Sequence, residues 1–316
     1  MAHLVTSLIH SGIQAWAGHT RARHPAYLDV DSPLPRWPRD GFVQAGDQRL
    51  QLLEWPGDGP PLVLLHGLNN TAWIWARSAA IMAATGRRVL APTQRGHGLS
   101  TKPITGYDLE STSADLEGTL DALGLDRVDL AGHSWGGKVV MHFAATRPQR
   151  VRALILADPA PPKGVSRLIA HKRLIRDAFR PERGPFDDRE SFEAQRPRLL
   201  QHQVDDETDR TAWAACFERQ ADGRYVAALA DAAFDEIVTD AVQADVEPLL
   251  EAITCPVMLM LPQLSLTTSG RAWSHARTLW PDLDERRMVG DHTFVHTNPQ
   301  DATAAIIGFL DRVKTP

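Results

Sequence analysis

Segments of strand and helix character alternate along most of this chain. Strands are predicted at residues 48–55, 62–65, 88–91, 128–131, 153–157, 256–261 and 287–289, and the wholly apolar segment 62–65 is typical of a strand buried on both faces. Helical periodicity between them predicts helices at residues 71–84, 109–123, 135–145, 271–279 and 300–313. Because strands alternating with helices imply right-handed crossovers, the pattern predicts an α/β fold with a doubly wound, mostly parallel sheet.

The alternation is interrupted between residues 160 and 245. This stretch is rich in Arg, Asp, Glu and Ala and contains no convincing strand pattern; it predicts helices at residues 165–179, 188–202, 208–220 and 224–234. We therefore expect an all-helical insert at residues 160–245. It would divide an α/β core made of residues 41–159 and 246–316.

Residues 1–40 precede the core. Leu4, Leu8, Ile9 and Ile13 recur at helical spacing and predict an amphipathic helix, which a proline-rich linker near residues 31–38 joins to the core. We expect this helix to pack on its own domain or on a second subunit of a homodimer; a position on a membrane surface is the alternative. No apolar run approaches the roughly 20 residues that a transmembrane helix needs.

Composition narrows the classes of partner. The chain has 316 residues, 43% of them hydrophobic, and a net charge of -5, which argues against a nucleic-acid partner because phosphate binding needs a concentrated basic face. The two cysteines, Cys216 and Cys255, form no CxxC pair, so we expect neither a disulfide nor a structural zinc site. Buried free thiols are typical of a cytoplasmic protein, which is the location we expect.

The strongest chemical signal is G-x-S-x-G at residues 132–136, between a predicted strand and a predicted helix. The glycines allow a sharp turn that lifts the Ser134 hydroxyl clear of the sheet, where a substrate can reach it. In this context the motif predicts that Ser134 is a nucleophile rather than an ordinary helix cap.

A serine nucleophile needs a base within hydrogen-bond reach. His292 follows the last predicted strand and is the candidate. His296, four residues later, could pair with His292 around a metal, but no H-E-x-x-H motif is present, so we expect no metal and no cofactor.

Backbone N–H groups must also stabilise the developing negative charge on the substrate. One donor is expected to be the residue after the nucleophile, Trp135. The other is expected in the loop after the strand at residues 62–65, which places it at Leu68.

These motifs together resemble the α/β-hydrolase superfamily. The resemblance covers the chain from about residue 42 to its C-terminus, apart from the insert, which lies where members carry a helical cap over the active site. It rests on His66-Gly67, on R-G-H-G-L-S at residues 95–100, on residues 132–137 and on Gly290-Asp291-His292.

The acid of the implied catalytic triad departs from the common pattern. Many members place it after the strand that follows the cap, but residues 261–269 contain no carboxylate, and Ser265 aligns where Asp is common. Asp158, at the end of the strand after the nucleophile helix, resembles the acid of haloalkane dehalogenases and zearalenone-type lactonases. The alternatives are that Asp158 only fixes the turn before Pro159, or that Asp291 serves despite its awkward adjacency to His292.

The identity of the nucleophile limits the implied reaction. Haloalkane dehalogenases and epoxide hydrolases attack with an elbow aspartate, and Ser134 cannot form their alkyl-ester intermediate. We therefore expect hydrolysis of a small-molecule carboxylic ester or lactone through an acyl-enzyme. The fold does not fix the function, so a lyase, a cofactor-free oxygenase, an acyltransferase or a non-catalytic ligand-binding protein remains an alternative.

The substrate is expected to carry an apolar part. Trp73 and Phe294 are candidate pocket walls because they follow the oxyanion loop and the base in the chain. Asn69 is a candidate polar contact. For the two aromatic residues the alternative is core packing, and for Asn69 it is turn geometry.

Overall fold

The computed structural model describes residues 37–162, 183–188, 191, 207–263 and 273–313. Its strands in chain order are Arg39–Ala45 (β1), Gln48–Trp55 (β2), Gly59–Leu65 (β3), Arg87–Pro92 (β4), Val128–His133 (β5), Val151–Ala157 (β6), Phe217–Arg219 (β7), Tyr225–Ala227 (β8), Val257–Pro262 (β9) and Asp284–Met288 (β10). Eight of them form one sheet in the order β1-β2-β4-β3-β5-β6-β9-β10. Only the pairs β1–β2 and β2–β4 are antiparallel; every other neighbouring pair is parallel.

Helices cover both faces of this sheet. They are Ala76–Ala84 (α1), Leu109–Ala122 (α2), Trp135–Thr146 (α3), Glu207–Ala214 (α4), Asp231–Gln243 (α5), Ser274–Leu279 (α6), Phe294–Thr297 (α7) and Pro299–Arg312 (α8), with short 3-10 helices at Ala72–Trp75, Pro148–Arg150 and Glu247–Ala252. Successive strand residues enter opposite cores: Leu130 packs with α2 and α3, and Ala131 with α1 and α8. The prediction of a doubly wound, mostly parallel α/β sheet is confirmed.

The edge strand β1 escaped prediction. Its burial alternates, with only Val43 and Ala45 buried, because one face of the strand meets the core and the other meets solvent. A two-residue turn joins it to β2, and Gly46 takes a φ of 62° there. Charged and small residues at its start gave no apolar run to detect.

The expectation of an all-helical insert is wrong for the described part of residues 160–245. Beside α4 and α5, this part contains the antiparallel hairpin β7–β8, where helices were predicted at residues 208–220 and 224–234. The signal was present in Asp222-Gly223, a dipeptide typical of hairpin turns, and Gly223 has a φ of 90°.

Several predicted features lie outside the described residues. They are the N-terminal helix, the helix at residues 165–179, nearly all of the helix at residues 188–202, and Ser265. Of the helices that are described, none combines the length and apolar character that a membrane crossing requires.

A buried lysine joins the insert to the core. Lys138 on α3 is fully buried, and its Nζ donates hydrogen bonds to the carbonyl oxygens of Ala241 (3.1 Å) and Ala244 (2.6 Å) at the C-terminal end of α5. These carbonyls carry the negative end of the helix dipole, which favours a cation. Burial nevertheless lowers the pKa of Lys138 to about 8, although Asp240 and Asp245 oppose the shift.

We expect this lysine to leave a signature in the alkaline stability of the protein. Between the folded-state pKa near 8 and the unfolded value of 10.5, the unfolded chain holds the proton that the folded chain has lost, so stability rises with pH. The free energy of unfolding of the wild type, measured by denaturant titration against that of Lys138→Met, should therefore gain roughly 2 kcal/mol from pH 8 to pH 10.

The comparison isolates Lys138 because other groups are common to both proteins. Burial raises the pKa of Asp240 to about 6, so its titration is largely complete below this range. A difference that stayed flat or fell with pH would contradict a lowered pKa for the buried lysine.

Candidate active site

Ser134 lies in a strained turn between β5 and α3. Its φ is 55° and its ψ is -118°, a conformation that residues other than glycine rarely adopt. A Cβ atom at Gly132 would lie 2.3 Å from the Gly136 carbonyl oxygen, and one at Gly136 would lie 2.4 Å from the His66 carbonyl oxygen. The two glycines therefore permit the close backbone packing of the predicted nucleophile elbow.

Asp158 ends the neighbouring strand at the same level. The β5–β6 register pairs His133 with Ala157, so Ser134 and Asp158 are the next residues of two adjacent parallel strands. The Asp158 side chain is fully buried, its φ is 40°, and its N–H donates to the Met260 carbonyl at 2.8 Å. The strand end thus fixes the carboxylate beneath the elbow.

The structure brings His292 and Asp158 together. Nδ1 of His292 lies 2.6 Å from Oδ2 of Asp158, across 134 residues of sequence. Since an ionised carboxylate only accepts, Nδ1 carries the proton, and Nε2 is the nitrogen left to take a proton from a hydroxyl. Asp291 instead accepts hydrogen bonds from the Thr293 N–H and hydroxyl, both at 2.8 Å. Its carboxylate serves this turn.

Charge near the imidazole favours its protonated form. Burial lowers the pKa of His292, but the hydrogen bond and the charge of Asp158, with a further contribution from Asp291, outweigh burial and hold the pKa above its ordinary value of 6.5. The ring still exposes 27% of its surface. It therefore combines a stabilised imidazolium with access from solvent.

The two predicted oxyanion donors lie on either side of the elbow. Trp135 is the first residue of α3, and Leu68 lies in the loop after β3. A Cβ atom at Gly67 would lie 2.8 Å from the Ser134 Cβ, so this loop runs directly beside the serine. Within the described ranges, neither the Leu68 N–H nor the Trp135 N–H donates a hydrogen bond to another backbone carbonyl. No described backbone carbonyl therefore occupies either candidate donor.

The three residues predicted to contact the substrate lie in different surroundings. Asn69 is half-buried in the loop after β3, with a φ of 65°. Trp73 is 7% exposed and packs edge-on against Trp37, whose ring centroid lies 5.7 Å away. Phe294 is fully buried in the core that includes α1 and α8, so its interpretation as a pocket wall is corrected to core packing.

Sequence analysis missed two histidine contacts. His296 does not face His292 across a metal; its Nε2 lies 2.6 Å from Oδ1 of the buried Asp209 on α4, which also pairs with Arg77 at 3.1 Å. His133 bonds to the backbone of His292 through its own Nε2. No local signal reveals either contact, because the partners are 87 and 159 residues apart.

Within the described ranges, no three His, Cys, Asp or Glu side chains are grouped as metal ligands would be. The chemistry that these residues can support is nucleophilic: a hydroxyl at a strained turn, a histidine oriented by a carboxylate, and two backbone donors.

Comparison with known proteins yields matches over parts of the chain. A family model described as alpha/beta hydrolase fold matches residues 60–215. The chain is 38% identical over 130 residues to epoxide hydrolase A of Mycobacterium tuberculosis, a segment that is 40% of each protein. It is 45% identical over 103 residues to 2-hydroxy-6-oxo-2,4-heptadienoate hydrolase of Pseudomonas putida, covering 32% of this chain and 37% of that protein. These segments span well under two thirds of the relatives' lengths.

A solved structure matches more of the chain. E-2-(acetamidomethylene)succinate hydrolase has a TM-score of 0.76 and 25% sequence identity, over 87% of this chain and 99% of that one. The sheet order, the elbow and these matches agree on one assignment. They show that the chain has the α/β-hydrolase fold.

Proposed function

We propose that the protein is a serine hydrolase that cleaves a carboxylic ester or lactone with an apolar part, through an acyl-enzyme on Ser134. The observation that carries this proposal is the 2.6 Å hydrogen bond between His292 and Asp158, because the strand before Asp158 ends level with the strand before the elbow serine. Serine, histidine and acid in this arrangement support acyl transfer on several unrelated folds.

The first half of the proposed reaction forms the acyl-enzyme. Ser134 Oγ attacks the substrate carbonyl carbon while Nε2 of His292 takes the hydroxyl proton. The carbonyl oxygen becomes an oxyanion, which the Leu68 and Trp135 N–H groups stabilise. The tetrahedral intermediate collapses as His292 returns the proton to the departing alkoxide, which leaves as the alcohol.

The second half releases the acid. Water attacks the acyl carbon, His292 accepts its proton, and collapse of the second intermediate returns that proton to Ser134 Oγ. Asp158 stays ionised throughout; it fixes the Nδ1–H tautomer and stabilises the imidazolium that forms in each half.

The serine at the elbow distinguishes the proposed reaction from epoxide hydrolysis, the activity in the names of several relatives. If serine opened an epoxide, the product would be an ether, which water cannot cleave under the conditions that hydrolyse an ester. An acyl-serine, by contrast, has a carbonyl carbon that water attacks. An apolar substrate part is supported by the aromatic pair Trp37–Trp73. Trp73 lies in the segment that follows the Leu68 loop, and Trp37, which packs against it, is 45% exposed.

Hydrolysis of p-nitrophenyl esters of increasing acyl length tests the proposal. We expect the wild type to turn over, Ser134→Ala to lose at least about 10³-fold in kcat/KM, and Asp158→Asn to lose about 10²–10⁴-fold. The matched carboxylate control Asp291→Asn, and Ser265→Ala, should stay within a few-fold of the wild type.

Two outcomes would contradict the proposal. Near-full activity in Asp158→Asn would remove Asp158 from the triad. Turnover of styrene oxide that depends on Ser134, without turnover of any ester or lactone, would overturn acyl transfer as the reaction.

The titration of His292, followed by NMR of ¹⁵N-labelled histidine, gives a second prediction. We expect a pKa above 6.5 in the wild type and a clear fall in Asp158→Asn, because burial then acts against the imidazolium with little opposition. Asp291→Asn should lower the pKa less, since Asp291 acts only through its charge. Since the base must be neutral to accept a proton, the acidic limb of kcat/KM should follow the same shifts. Equal effects of the two variants would contradict a specific Asp158–His292 pair.

A further inference from the structure

His133, the residue before the nucleophile, contacts the candidate base directly. It is fully buried at the end of β5, and its Nε2 lies 2.6 Å from the carbonyl oxygen of His292. Because a carbonyl oxygen only accepts, Nε2 of His133 must carry the proton and donate. The contact fixes the tautomer of His133 and attaches the backbone of His292 to the strand that bears Ser134.

The surroundings of the other ring nitrogen of His133, Nδ1, do not favour a second proton on the ring. Nδ1 is buried without a hydrogen-bond partner in the described part of the chain, beside Gly67, where a Cβ atom would lie 3.3 Å from it. Burial, and after it the charge of His292, lower the pKa of His133 to about 3, although its hydrogen bond to the His292 carbonyl and the charge of Asp158 oppose the shift. His133 is therefore neutral throughout the neutral pH range.

A neutral His133 is compatible with a positive charge on the neighbouring His292. The rings of His133 and His292 lie 4.6 Å apart at 43°. An imidazolium forms on His292 during the proposed reaction, and a second cation at this distance would oppose it. The titratable groups that face His133 are His292, Asp158 and the buried His66. Among them, Asp158 is the carboxylate, and it is already paired with His292.

Two contacts attach the loop that carries His292 to the ends of neighbouring strands. His292 follows β10, which is separated from β6 in the sheet by β9. Gly290, two residues earlier, has a φ of 118°, so the loop turns at a residue with wide conformational freedom. Asp158 holds the His292 side chain from the end of β6, while His133 holds its backbone from the end of β5.

We propose that His133 is a positioning residue for the reaction: its Nε2–H hydrogen bond to the His292 carbonyl sets the place of the base relative to Ser134. The inference rests on the proposed function for its kinetic consequence, but the attachment itself is a property of the fold. It predicts that the donor, and not merely a side chain of suitable volume, is required at this position.

A pair of variants separates the donor from the volume. His133→Gln keeps an N–H at a similar reach, whereas His133→Met fills similar space without a donor. We expect kcat for the best p-nitrophenyl ester to fall by about 10–100-fold in His133→Met with KM nearly unchanged, because displacement of the base by about 1 Å costs this much. In His133→Gln we expect kcat within about fivefold of the wild type.

The titration of His292 gives a readout that needs no turnover. In His133→Met we expect the pKa of His292 to fall below that of the wild type, because a displaced loop weakens its contact with Asp158. In His133→Gln the pKa should stay close to the wild-type value. If the wild type hydrolyses neither an ester nor a lactone, the proposed function fails, but this measurement still decides the inference.

Three results would overturn the inference. Wild-type kcat and His292 titration in His133→Met would show that the hydrogen bond positions nothing. Equal losses in His133→Met and His133→Gln would show that only packing matters. A rise in KM with an unchanged kcat in His133→Met would assign His133 to substrate binding. Circular dichroism establishes that each variant is folded, and His133→Phe replaces His133→Met if the latter is not.

Discussion

The parallel register between β5 and β6 is the constraint on which the rest of the site depends. It pairs His133 with Ala157, so the chain leaves both strands at the same level, at Ser134 and Asp158. Both residues have a positive φ, 55° and 40°, and such conformations cost about 1–3 kcal/mol each outside glycine. The buried strands and the glycine packing around them hold these turns against that cost. Strain in two adjacent strand ends thus places the hydroxyl and the carboxylate.

His292, the proposed base, follows a strand elsewhere in the sheet. β10 lies beyond β9, so the register alone does not bring His292 to Ser134. Two partly buried hydrogen bonds attach it at this edge, one between its side chain and Asp158 and one between its backbone carbonyl and His133. Where water is largely excluded, such bonds are strengthened and their loss is costly. The proposed triad therefore depends on contacts that span 134 and 159 residues of sequence.

The sequence separation of each contact explains which features of the fold and the site could be predicted from the sequence. Features that depend on neighbouring residues could be predicted. The glycine spacing predicted the turn at Ser134, and the alternation of strand and helix patterns predicted the sheet. The candidate acid followed from the family resemblance, which implies two positions for it: residues 261–269 contain no carboxylate, whereas Asp158 ends the other strand. Phe294 was misplaced because an aromatic residue beside a base in sequence can point into the core, as it does here. The contacts of His133 and His296 are long-range and have no local signature.

The insert is attached at the same edge of the sheet. The buried Asp209 on α4 meets His296 and Arg77, while Glu236 on α5 accepts from the Gly106 and Tyr107 N–H groups. Lifting α4 off the core would have to separate a fully buried carboxylate from a histidine and an arginine, and contacts in such a low-dielectric setting are costly to lose. α7, which bears His296, begins two residues after His292, so that motion would also disturb His292. The described part of the insert is therefore mechanically coupled to the loop that carries the proposed base.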